Sequence, residues 1–213
     1  MLPFLIAVLM ALQGGFCQAV AADRPTSSEC SYTIESSSAS GKAMTQTVRH
    51  ARSEMSANET DKESGCSVCS EDQENIDVPP IPQFSLCYKL APLVRFVLKD
   101  LIAKGAPIHT VIGYHVVKSS EDTSAAGNRS EFGNHSYGTA FDINPEQNGL
   151  YDNCVKFGPE CRLVRGGPWK PGTPGTIEKD GMIVKKLDET GFVWGGEIES
   201  KQKDFMHFSL TGY

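Results

Sequence analysis

The sequence predicts an α+β chain, a small antiparallel sheet with helices on one side. Three observations predict it. Leu90, Leu93, Val94, Val97, Leu98 and Leu101 recur at spacings of three and four, a helical stripe. Thr139–Ala140–Phe141–Asp142–Ile143 alternates as a strand does, with Ala140 and Asp142 on one face. Short strand-like runs follow at Phe192-Val193-Trp194 and from Met206 to Leu210.

Taken in order, the chain opens on an apolar run, Leu2 to Leu12, too short to span a bilayer, which needs about 20 apolar residues. Ala19-Val20-Ala21 fits a cleavage site, so residues 1–21 read as a secretory signal, leaving no stable membrane span after cleavage. Residues 22–77 are rich in Ser, Thr, Glu and Asp and read as a flexible segment, with at most a short helix from Ala43 to Met55. Val78-Pro79-Pro80-Ile81-Pro82 is stiff and marks a boundary, which assigns the folded domain to 78–213. Pro92 suits the first turn of the helix, and Gly105 and Pro107 end it. Ile108 to Tyr114 reads as a strand and Ser119 to Arg129 as a polar loop. A Gly- and Pro-rich loop runs from Pro145 to about Thr176. Asp180 then caps a second helix that ends before Gly191.

Composition narrows the function. The chain has 213 residues, 39% of them hydrophobic, enough for one domain with appendages. Its net charge is −6 and it has no basic cluster, which argues against nucleic acid. Of seven cysteines, removing Cys17 with the signal leaves six, an even number that points to disulfides in an oxidising compartment. Cys154 and Cys161 are close in sequence and are expected to pair. Cys66-Ser67-Val68-Cys69 is a C-x-x-C without the strand–helix context of a redox motif or a second pair for zinc, so disulfides involving Cys30 and Cys87 are expected there. No Gly-x-Ser-x-Gly elbow or Ser-x-x-Lys motif supports a serine hydrolase.

The chemistry concentrates in two motifs. Asn134 to Pro145 holds His135 and Asp142, and Asp204-Phe205-Met206-His207-Phe208 holds another carboxylate and histidine. A carboxylate on an apolar strand needs a partner, and a metal ion is one. Two histidines and an aspartate fill three corners of a tetrahedral zinc site and leave the fourth for water. His109 and His115 read as structural or surface residues.

His-x6-Asp followed by Asp-x-x-His resembles the zinc D-alanyl-D-alanine carboxypeptidase family, which includes L-alanyl-D-glutamate endopeptidases and is related to the Hedgehog signalling domain. The family's Ser-x-His-x-x-Gly-x-Ala-x-Asp is matched by Gly133, His135, Gly138, Ala140 and Asp142, with glycine in place of the leading serine. Its second motif is matched by Trp194-Gly195-Gly196 and by Asp204 to Phe208. The resemblance implies a Hedgehog/DD-peptidase-like fold, Zn2+ held by His135, Asp142 and His207, and Asp204 as the base. It also implies an arginine upstream of the first motif that binds substrate. The usual arginine after a Gly-Tyr pair is absent, since His115 follows Gly113-Tyr114; Arg129 is the nearest candidate and Lys118 its rival. The implied function is a monomeric peptidase, exported to the periplasm or cell wall, acting on peptidoglycan stem peptides. D-alanyl-D-alanine carboxypeptidase comes first, the endopeptidase second, and a non-catalytic Hedgehog-like zinc module third.

Overall fold

The computed structural model describes residues 27–37, 43–117 and 132–212. The expected signal, Cys17, Lys118 and Arg129 lie outside the described residues. Among the described residues the architecture is mixed α+β, with two α-helices and several small sheets.

The centre is a four-stranded antiparallel sheet in the order β10-β12-β7-β5: β5 (Val111–Ile112), β7 (Ala140–Ile143), β10 (Val193–Trp194) and β12 (His207–Ser209). All four β7 side chains are buried, because both faces of the strand are covered. Phe141 stacks on Phe208 and meets Phe192 edge-on, so one aromatic layer locks β7 to β12 and to the residue before β10.

Helix α1 (Ala91–Ala103) buries Ala91, Val94, Val97, Leu98 and Leu101. The stripe read from the sequence is this face, except that Leu93 is exposed. Pro92 lies in the first turn, and Gly105, at φ 80°, takes the left-handed turn after the helix. Helix α2 (Met182–Asp188) is capped by Gly181 rather than Asp180, and no side chain bonds the helix start. The strand expected from Ile108 to Tyr114 is confined to the two residues of β5.

The loop after Pro145 contains a hairpin. Strands β8 (Leu150–Asp152) and β9 (Arg162–Arg165) pair antiparallel, and β11 (Lys203–Asp204) joins on the other side of β8. Cys154 and Cys161 form the expected disulfide between β8 and β9.

The larger difference lies upstream. Residues 22–77 read as a flexible segment, yet their described part is ordered. Strand β1 (Glu29–Ser37) pairs with β2 (Ala43–Ala51) over nine residue pairs, and the stretch expected as a short helix is this second strand. Strand β1 also pairs in parallel with β6 (Val116–Val117). Two disulfides, Cys30–Cys69 and Cys66–Cys87, replace the apolar surface that the composition lacks. Around them Tyr32, Ile34, Val68, Val116, Phe132 and Tyr137 form a second core cluster. The Asp72 carboxylate takes both guanidinium branches of Arg52, at 2.8 and 2.9 Å, and the Ser67 hydroxyl. The boundary drawn at Val78 falls at the end of β3 (Gln73–Val78), which forms a hairpin with β4 (Ile81–Cys87).

Candidate metal centre

Three elements, a turn, the strand that follows it and a strand far along the chain, converge on one point of the central sheet. Across β12 and β7, His207 lies directly opposite Asp142, so sheet register alone brings these two together. His135 arrives from a 3₁₀ turn, Asn134–Tyr137, that precedes β7. Gly138 ends this turn at φ 66°, a left-handed conformation that favours glycine. A side chain there would also collide with Gln73 and approach Cys87 N to 2.5 Å. Gly195 is needed for a different reason: a Cβ would stand 2.6 Å from the Asp204 carbonyl and 3.2 Å from the Cβ of His207. Gly133, by contrast, has open space around it, and a Cβ there would meet nothing within 4 Å. The family's serine would fit at that position.

The donor atoms form a triangle. His135 Nε2, Asp142 Oδ1 and His207 Nδ1 stand 3.1 Å from one another along all three edges. Two atoms bound at ordinary zinc distances to one tetrahedral ion would lie roughly 3.3 Å apart, so the triangle fits that ion. Proton counting supports the same fit. His135 Nδ1 donates to the Gly113 carbonyl at 2.9 Å; in the neutral ring this leaves the Nε2 lone pair for a cation, while without one the ring's pKa is raised, against the pull of burial, by the adjacent Asp142. A cation inside the triangle satisfies both the lone pair and the carboxylate. All three residues are buried, with exposures of 8% for His135, 2% for Asp142 and 6% for His207. Burial alone would raise the pKa of Asp142; His135 and His207 outweigh it, and the carboxyl is held well below its ordinary range.

Asp204 stands beside this group and behaves in the opposite way. Burial, and then the negative charge of Asp142, push its pKa up to about 6, with His207, Arg165 and His135 pulling the other way. Among the described residues, its buried Oδ1 meets no hydrogen-bond partner, and neither does His207 Nε2. Polar atoms enclosed without partners are costly, and they mark places prepared for a group that is not protein. Trp194 is different in kind: it is 5% exposed, its indole N–H donates to the Phe205 carbonyl at 2.9 Å, and it belongs to the core.

Two residues that sequence reasoning passed over also reach the site. The His115 ring lies 4.5 Å from that of His135, and its Nδ1 is 3.0 Å from the Gly113 carbonyl. Burial, then His135, lower its pKa. The Arg165 guanidinium, at the end of β9, lies 3.5 Å from Asp142 Oδ2. The clue for His115 was its place just after Gly113-Tyr114. No local pattern singles out Arg165. His109 is exposed, as expected.

Residues 126–210 match the family model described as D-alanyl-D-alanine carboxypeptidase. No curated protein and no solved structure matches the chain.

Proposed function

We infer the function from the premise that residues 126–210 belong to the D-alanyl-D-alanine carboxypeptidase family: the protein is a zinc peptidase of peptidoglycan stem peptides, cleaving D-alanyl-D-alanine. The observation that carries this reading is the His135–Asp142–His207 triangle of donor atoms within the matched segment. Zinc bound there by these three residues supplies an open coordination position and Lewis acidity toward the scissile carbonyl.

The chain's own residues do the rest. Gly113 fixes the tautomer of His135 by accepting from Nδ1. The Asp204 carboxylate takes a proton from the attacking water and returns it to the leaving amine. Burial and the Asp142 charge raise its pKa above the ordinary carboxyl value, the direction that a group which takes and then returns a proton needs. Asp204 ends β11, and the Trp194-Gly195 bend holds it in place, since Asp204 N–H donates to the Gly195 carbonyl at 3.1 Å. Three disulfides support an exported protein. Among the described residues, no helix is long and apolar enough to cross a membrane.

Metal analysis and peptide digestion test the proposal together. The purified protein is expected to hold about one zinc per chain, and His207→Ala to lose it. Asp204→Asn is expected to keep the metal while turnover falls by about 100-fold or more. Wild-type activity is read by mass spectrometry as release of the terminal alanine. Zinc-free folded protein, or undiminished turnover by Asp204→Asn, would refute the assignment.

A further inference from the structure

We propose that Arg165, carried by the β8–β9 hairpin, is the residue that binds the free C-terminal carboxylate of the substrate peptide, and so makes this site a carboxypeptidase. The inference rests on the peptidase reading and adds to it the side of the cleft from which the anion is held.

Asp142 links the donor triangle to the hairpin. Its two oxygens face different neighbours: Oδ1 is turned to His135 and His207, Oδ2 to Arg165 at 3.5 Å. Arg165 therefore approaches the site through the Asp142 oxygen that the donor triangle does not use. Its side chain is 53% exposed, whereas that of Asp142 is 3% exposed, so a half-exposed cationic side chain borders a buried charged centre. A guanidinium with one long ion pair retains donors in a planar fork, which matches a carboxylate better than any other side chain does. Among the described residues, no other Lys or Arg pairs with a carboxylate of the site.

Two further features fit. The position after Gly113-Tyr114 holds His115, whose ring lies 4.5 Å from that of His135, and not a cation that could take the role. Strand β9 is the edge of its sheet, and all four of its side chains are exposed. Arg162, at the other end of β9, is committed to Asp152, with Nε donating at 3.0 Å. Gly149 packs so tightly under the hairpin that a Cβ would lie 2.5 Å from the Gly167 carbonyl, and the Cys154–Cys161 disulfide closes the loop joining the strands. The hairpin thus presents Arg165 from a braced support, which limits the ordering cost of binding an anion.

The test uses the full chain with Asp204→Asn, loaded with zinc, so that peptide binds without turnover. Calorimetry compares a short peptide ending in D-Ala-D-Ala as the free acid with the same peptide as its C-terminal amide. The acid is expected to bind about tenfold to a hundredfold tighter. Adding Arg165→Ala is expected to abolish that preference by weakening only the acid, and Arg165→Lys to restore part of it. A preference that survives Arg165→Ala, equal weakening of acid and amide, or no preference in the protein that retains Arg165 would each overturn the proposal. Release of alanine by the wild-type chain is scored separately. Its absence would count against the peptidase reading, while the acid–amide comparison reports on Arg165 alone.

Discussion

Glu59 shows how one buried carboxylate ties the N-terminal strands together. It is 5% exposed and accepts from Tyr32 Oη at 2.7 Å, from the Ser56 backbone at 2.7 Å and from the Ser56 hydroxyl at 2.8 Å, with His50 Nε2 also 2.7 Å away. Burial would raise its pKa, but the bonds from Tyr32, His50 and Ser56 more than offset this and hold it at about 2, against 4.5 for a free glutamate. A folded-state pKa below the unfolded one means that the unfolded chain binds the proton first. The stabilisation is therefore present above about pH 4.5 and is lost as pH falls toward 2. Glu59→Gln is expected to melt at a lower temperature than wild type at pH 7, with the gap narrowing through that window; thermal denaturation at stepped pH checks it. A gap constant between pH 7 and pH 2.5 would show that the charge on Glu59 contributes nothing.

At the scale of elements, the disulfides do work that apolar packing does elsewhere. Cys30 and Cys69 are 39 residues apart, and closing a loop of that length restricts the unfolded chain by about 3–4 kcal/mol. Replacing both by serine is expected to lower the melting temperature by roughly 10 °C, measured by calorimetry under non-reducing conditions. The same scale explains what the sequence discloses and what it does not. His135, Gly138, Ala140 and Asp142 are legible because one turn and one strand set their spacing. His207 is legible because its strand alternates beside theirs. Strands β1 and β2 are not: most of β2 is exposed, and β1 buries few apolar side chains beyond Tyr32 and Ile34, so no hydrophobic period announces them. Their order comes from cross-links and from a parallel partner, β6, far along the chain. Arg165 is hidden for a similar reason, since its approach to Asp142 depends on the β8–β9 register and on no neighbour in sequence.

For the whole molecule, the N-terminal layer is part of the fold that carries the site. A fragment of residues 78–213 would lose most of β3, the β1 partner of β6, and the Cys66 half of the Cys66–Cys87 bridge. It would also expose Val116, Phe132 and Tyr137, which are buried in the second cluster. Such a fragment is expected to show no cooperative thermal transition, whereas the chain from Ser27 onward should unfold in one. A fragment that melted sharply and bound zinc would mark the upstream layer as dispensable.

Cys87 draws these levels together. It ends β4, is bonded to Cys66, and donates its backbone N–H at 2.9 Å to the carbonyl of Gly138, the residue that closes the His135 turn. The Cys66–Cys87 bridge therefore reaches the site through one backbone bond, and a cross-link made far upstream helps to set where a donor atom stands.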